Sequence, residues 1–152
     1  MKTIQGDLLK LAAEGHFDVI LHGCNCMCAM GAGIAKQIRA TFPAAYEADC
    51  ETEAAARDKL GTISQAIVQC GEHTLTVVNG YTQYHWKGPD GRADYEAIRG
   101  VMQQVKSQFS GQRIGYPKIG AGLAGGDWEI ISAIIVEELE GEDHTLVEYV
   151  PD

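Results

Sequence analysis

Strand-like and helix-like stretches alternate along the whole of this 152-residue chain, and that alternation constrains the fold more than any other feature. A strand–helix–strand unit hides both faces of its strand only by joining a largely parallel sheet with helices packed on either side. Val19-Ile20-Leu21 is a continuous apolar run between polar residues, the pattern of a strand buried on both faces. Thr3-Ile4-Gln5 and residues 113–116 and 145–150 read as further strands. Residues 63–68 and 74–78 read as a hairpin or as neighbouring strands, the second ended by Asn79 and Gly80. Between them, Asp7 is placed to cap a helix carrying Leu8, Leu9 and Leu11, while Ile34, Ile38 and Phe42 form one stripe of a helix stopped by Pro43. A polar helix is expected over 44–59. Asp94 and Asp127 head two more, with apolar positions Ile98, Val101, Met102, Val105, Phe109 and Trp128, Ile131, Ile134, Ile135, Leu139 at helical spacing. In such an α/β layer, ligands sit at the carboxyl ends of the strands, so the loops after strands carry the functional interest.

Composition narrows the partners. Residues 1–152 suffice for a single domain and leave no room for a second core. The net charge, 12 − 21 = −9, argues against holding nucleic acid by phosphate neutralisation, so no strong polynucleotide binding is expected. An acidic single domain suits a monomer. No stretch reaches the ~18 apolar residues that span a bilayer, and the opening Met-Lys-Thr-Ile-Gln-Gly-Asp lacks the apolar segment of a secretory signal. A cytoplasmic location and no membrane partner are expected. Five cysteines, with Cys24, Cys26 and Cys28 too close for mutual bridging, read as reduced thiols.

Two Gly-rich loops stand where strands give way to helices: Met30-Gly31-Ala32-Gly33-Ile34, and Ile119-Gly120-Ala121-Gly122-Leu123-Ala124-Gly125-Gly126. Successive N–H groups at a helix start bind phosphate, and glycine lets the backbone come close, so the pair suits two phosphates or one diphosphate clasped from both sides. Tight turns alone also explain glycines. The second loop matches G-x-G-x-x-G, but it opens a βαβ unit at the end of the chain, where a dinucleotide fold lacks its second half. His22-Gly-Cys-Asn-Cys-Met-Cys28 reads either as soft metal ligands or as small side chains packed under a loop; the spacing is not that of a structural zinc site. No metal is expected. Asn25, with donor and acceptor together, can orient a sugar hydroxyl or a water, or simply close an Asx turn.

Together, Gly6-Asp7, the stretch from Val19 to Asn25, Met30-Gly-Ala-Gly-Ile34 and the stretch from Pro117 to Trp128 resemble the macrodomain family, over essentially the whole chain and in the expected order. The similarity is greatest to the branch of ADP-ribose-1″-phosphate phosphatases and of hydrolases that free ADP-ribose from glutamate. The resemblance implies a three-layer α/β/α sandwich with a mixed, mostly parallel central sheet of about six strands and ADP-ribose bound over the strand ends. It implies further that Asp7, beside Leu8, accepts from the adenine amino group. Gly31, Ala32, Gly33 and Ile34 would wrap the diphosphate and distal ribose together with Gly120, Ala121, Gly122 and Leu123, and Asn25 would hold the distal ribose. Tyr149 on the final strand is similar to an aromatic that lies against adenine, although a core tyrosine fits that position equally.

The resemblance also implies a lysine nucleophile and an aspartate after G-x-G-Leu in the glutamate branch, and the chain departs at both. Val77-Val-Asn-Gly-Tyr-Thr-Gln83 has no lysine, and Ala124 follows Leu123. The expectation is therefore hydrolysis of a distal-ribose substituent (1″-phosphate, acetyl ester or ADP-ribosyl-protein ester), with Asn25 positioning water, His22 as acid or base and Asp127 orienting either. The other reading is a non-catalytic module for ADP-ribose or ADP-ribosylated protein. Neither calls for a cofactor.

Overall fold

The computed structural model describes residues 1–88 and 91–150. Six strands, β1 Lys2–Gln5, β2 Val19–Asn25, β3 Ile63–Cys70, β4 His73–Gln83, β5 Arg113–Tyr116 and β6 Asp143–Glu148, form one sheet in the order β1-β6-β5-β2-β4-β3. Every neighbouring pair is parallel except β3 and β4, which form an antiparallel hairpin turning through Gly71 and Glu72, with Gly71 in the left-handed region. The sheet is mixed and mostly parallel.

Helices cover both faces. Along β2 the side chains alternate, so Val19 and Leu21 pack with α4 (Tyr95–Phe109) and α5 (Trp128–Glu138). Ile20 packs on the opposite face with α1 (Leu8–Ala13), α2 (Gly33–Thr41) and Ala45 of α3 (Pro43–Cys50). Six buried residues of α4 occupy the predicted stripe, five of them apolar anchors of the period-3.6 pattern and the sixth Ala97. Among the described residues, no helix is long and apolar enough to cross a membrane.

Three expectations need correction. The helix expected over 44–59 ends at Cys50: Thr52 Oγ1 donates to the Asp49 carbonyl at 2.6 Å, Ala55 takes a φ of 62°, and a single 3₁₀ turn follows at Arg57–Lys59. Pro43 does stop α2, which ends at Thr41, and it also starts α3 at its first turn, where its missing N–H costs nothing. Asn79 and Gly80 do not end β4, which runs on to Gln83. Asn79 is fully buried with its amide satisfied, and a Cβ at Gly80 would stand 2.7 Å from Cγ1 of Val101, so this glycine admits α4 rather than making a turn. The last strand spans Asp143–Glu148, which leaves Tyr149 just beyond it and 68% exposed, excluding the core alternative.

Candidate functional site

The parallel strands β5, β2 and β4 release their carboxyl ends side by side, and a cleft opens over them. One half, about 680 Å³, is lined by Gly23, Cys24 and Asn25 from the end of β2, by the Gly31–Ile34 loop, by Gln83 and Trp86, and by the loop from Pro117 to Ala124. The other half, about 470 Å³, is lined by Asp7, Leu8, Gln37, Ala121, Glu148 and Tyr149 among others. Gly33, Ile34, Pro117, Lys118 and Gly122 line both, so the halves are one groove that passes between the two Gly-rich loops.

The waist of the groove is rich in unpaired backbone donors. Helices α1, α4 and α5 are each capped by an aspartate, Asp7, Asp94 and Asp127, whose side chains accept from first-turn N–H groups. Helix α2 is not: its cap residue is Ala32, with extended backbone and no side-chain acceptor, and the first intrahelical bond is Lys36 N–H to the Ala32 carbonyl. The N–H groups of Gly33, Ile34 and Ala35 therefore take no partner among the described residues, at the positive end of the helix dipole and on a stretch that lines the cleft. Across the groove, the N–H groups of Gly122 and Leu123 also take no partner among the described residues. A Cβ at Gly33 would lie 3.5 Å from Cδ1 of Leu123, so the loops meet over the waist.

The glycines divide by what surrounds them. Gly120 has a φ of 74° and would place a Cβ 2.9 Å from Ala93, and one at Gly126 would meet the Gly120 carbonyl at 2.6 Å, so turn geometry and packing demand both. Gly31 and Gly122 have neither a positive φ nor any atom within 4 Å of an added Cβ. Nothing in the protein requires glycine there; a side chain would project into the open cleft.

At the far end, β2 and β4 are paired Cys24 to Tyr81 and then Asn25 to Gln83, an irregularity that leaves Thr82 unpaired and sets Asn25 and Gln83 side by side on the cleft. Asn25 Nδ2 donates to the Ala29 carbonyl at 3.0 Å and its Oδ1 accepts from Met27 N–H at 2.9 Å, which fixes the loop. Gln83 Nε2 donates to the His85 carbonyl at 2.9 Å. Beneath them a polar chain runs through the core. The Asn79 amide nitrogen donates to the Ala45 carbonyl and to Ser64 Oγ, so its Oδ1 faces His22 Nε2, 2.6 Å away, and that nitrogen carries the proton. Ser64 and Tyr81 hydroxyls lie 2.8 Å apart, and Tyr81 donates to Asp49 Oδ1 at 2.8 Å. Burial lowers the His22 pKa to about 4 against the opposing hydrogen bond from Asn79, so the imidazole stays neutral. Burial likewise raises the Cys24 thiol well above its ordinary value. Lys59, buried, donates to the Cys26 carbonyl at 3.1 Å and fastens the cysteine segment from below.

The structure thus brings every expected ligand residue to one groove: Asp7, Leu8, Asn25, Gly31, Ala32, Gly33, Ile34, Gly120, Ala121, Gly122, Leu123 and Tyr149. It does not bring His22 or Asp127 there. His22 is fully buried in the polar chain, and Asp127 is an exposed cap accepting from Glu129 N–H at 2.9 Å. Neither side chain lines the groove, so neither is carried into the reading of the site below. Sequence reasoning gave no ligand role to Gln83, Trp86, Lys118 or Gln37, all of which line the groove. The available signal was register: a strand beside β2 that ran past Gly80 would carry Gln83 to Asn25. Among the described residues, no group of three or more His, Cys, Asp or Glu side chains could hold a metal ion.

Comparison with known proteins bears on the fold and the family. An otherwise uncharacterized 17.5 kDa protein of Enterobacteria phage T4 is 36% identical over 140 residues, covering 89% of this chain and 87% of that one. The DNA ADP-ribosyl glycohydrolase of Mycobacterium tuberculosis is 26% identical over 138 residues, but the match spans only 37% of that protein's length. The structure of Thermosipho africanus DarTG in complex with ADP-ribose shares the fold, with a TM-score of 0.74 at 18% identity over 99% of this chain and 42% of that one. A family model described as Macro domain matches residues 21–135, which is 115 of 152 residues, and with the phage relative it places the chain in the macrodomain family.

Proposed function

We propose that this chain binds ADP-ribose along the cleft and hydrolyses a substituent carried on its distal ribose. The observation that carries the reading is the waist, where the uncapped start of α2 and the Gly122–Leu123 loop, whose N–H groups take no partner among the described residues, line the same groove and would together suit a diphosphate. These dipoles and Lys118 act locally, within a Debye length of about 8 Å, so the net charge of −9 does not oppose a bound anion strongly. Both cap bonds of Asp7 fall on Oδ1, from Leu9 and Lys10 N–H, which leaves Oδ2 to accept from the adenine amino group beside Tyr149. The distal ribose then rests against Asn25 and Gln83.

The chemistry follows from what lines that end. A lysine nucleophile is absent, and Gln83 stands at the strand end beside Asn25. Gln83 Oε1 and the Asn25 amide orient a water beside the anomeric carbon or an ester carbonyl. The substituents that fit are a 1″-phosphate, an acetyl ester or a link to protein; the name of the mycobacterial relative adds a link to DNA. The partner is then an ADP-ribosylated macromolecule, met in a reducing, cytoplasmic compartment that suits five free cysteines.

One observation favours a second reading, a binding module without turnover: Cys24, held as a thiol, and Lys118 are the titratable groups lining the distal half, and neither is a general base. Calorimetry with ADP-ribose, ADP and NAD on wild type and Asn25→Ala tests the shared claim, with preferential binding of ADP-ribose weakened by the variant as the expected result. Release of phosphate, acetate or free ADP-ribose from substituted ligands separates the two readings, and binding without release decides for the module.

A further inference from the structure

The Asp7 half of the groove carries a charge that an anion site should avoid. Its charged side chains are Asp7, Lys118 and Glu148. Asp7 caps α1, and Lys118 lines both halves and so reaches the waist. That leaves Glu148, the last residue of β6. Its backbone is fixed, in register with Gln5 of β1 and with its carbonyl accepting from Gly6 N–H at 2.9 Å. Its carboxylate pairs with Lys118 at 4.0 Å, the two side chains being 39% and 49% exposed, a weak contact that gives way at little cost. A second carboxylate in a cleft for a dianion, on a chain already at −9, opposes binding unless the ligand brings hydrogen-bond donors to it.

Resting on the reading of the cleft as an ADP-ribose site, we propose that Glu148 selects at the adenosine ribose. Its carboxylate accepts from the 2′ and 3′ hydroxyls, so the cleft takes ADP-ribose with a free 2′ hydroxyl and rejects ADP-ribose phosphorylated there. The order of the ligand's parts carries this. With adenine at Asp7 and Tyr149 and the diphosphate at the waist, the adenosine ribose lies between them, in the half that Glu148 lines. The two oxygens of a carboxylate match two cis hydroxyls, and such charge-assisted bonds are stronger than neutral ones. As the ligand arrives, Lys118 exchanges the carboxylate for the diphosphate, and both members of a weak pair gain better partners. A 2′-phosphate would set further negative charge against Glu148 at a point where Lys118 is already engaged. Gln37 lines the same half, but its amide has no charge to repel a phosphate and can donate to one as readily as accept from a hydroxyl. The substrate class is therefore ADP-ribose transferred from NAD, and not from its 2′-phosphorylated form.

Calorimetry with ADP-ribose, with the form lacking the 2′ hydroxyl of the adenosine ribose and with the form phosphorylated at that position tests this. Wild type is expected to bind the 2′-phosphate at least ~tenfold more weakly than ADP-ribose, and the 2′-deoxy ligand roughly three- to tenfold more weakly. Glu148→Ala should bind ADP-ribose and the 2′-deoxy ligand equally, because the hydroxyl then has no acceptor to lose. Glu148→Lys should reverse the order and favour the 2′-phosphate, while Gln37→Ala should leave both ratios as in wild type. The Glu148 side chain is partly exposed and the β1–β6 pairing runs through its backbone, so these variants should melt close to wild type. A wild type that binds the 2′-phosphate as tightly as ADP-ribose, a 2′-deoxy loss that persists in Glu148→Ala or vanishes in Gln37→Ala, or an order unchanged in Glu148→Lys overturns the proposal. Failure of ADP-ribose to bind the wild-type chain refutes the ligand reading itself, and is told apart because the selection at the adenosine ribose concerns only ratios between ligands.

Discussion

Two polar pairs bridge β2 and β4 a few residues apart. His22 faces Asn79 and Asn25 faces Gln83, and only their surroundings separate them. The first pair is sealed in the core, with every polar atom of the Asn79 amide and the imidazole Nε2 engaged at 2.6 to 3.0 Å. The second lies on the cleft, where Asn25 still fixes its loop but Gln83 keeps an oxygen free among the described residues. A histidine at a strand end suggests acid–base work on residue type alone. What decides is access, and a buried neutral imidazole with a fixed tautomer supports structure, whereas two unremarkable amides stand where the ligand would be.

The largest effect should come from breaking the sealed pair. His22→Ala removes a fully buried ring and strands Asn79 Oδ1, and we expect a loss of about 3 kcal/mol in chemical denaturation. The folded fraction should still bind ADP-ribose normally; a selective loss of binding would return His22 to the site. The same residue sets a pH dependence. Its folded pKa is about 4 against an ordinary value near 6.5, so between those limits the unfolded chain takes up a proton that the folded chain refuses. The contribution is fully present above pH 6.5 and is lost as pH falls towards 4, a difference of about 3 kcal/mol. Stability curves of wild type and His22→Gln at pH 7 and pH 4.5 should diverge accordingly, the variant being the less sensitive; parallel curves would contradict a buried neutral imidazole.

On the open side the order of effects reverses. Gly122→Val places a side chain in empty space, so stability should change by less than ~0.5 kcal/mol while ADP-ribose affinity falls at least tenfold, a result read from paired melting and calorimetric data. Gly126→Val, which has the Gly120 carbonyl 2.6 Å from its Cβ, should do the opposite and destabilise the fold. The smallest effect concerns two caps. Asp7→Ala and Asp127→Ala should each cost about 1 kcal/mol through the lost N-cap bond, but Asp7→Ala alone should weaken ADP-ribose. Equal affinities for the two variants would remove Asp7 from adenine recognition.

The same contrast explains what the sequence made legible. Val19-Ile20-Leu21, the stripe of α4 and the two Gly-rich loops depend on local pattern, and the sheet, its two covered faces and the groove follow from them. Asn79-Gly80 looked like a strand end because both residues favour turns; here a buried hydrogen-bond chain and the close approach of Val101 outweigh that preference, and β4 gains the residues that carry Gln83 to the cleft. His22 looked catalytic because burial cannot be read from residue type. Trp86 sits in a polar loop without periodicity, where no pattern marks which aromatic turns towards a ligand.

The central claim is that the groove between the uncapped start of α2 and the Gly122 loop takes ADP-ribose, and an isothermal titration of ADP-ribose into wild type and Gly122→Val, with NAD as the control ligand, tests it most directly. The account predicts saturable binding of ADP-ribose in preference to NAD, lost in a Gly122→Val protein that melts like wild type. Absence of binding to wild type, or equal binding by the two proteins, would contradict it.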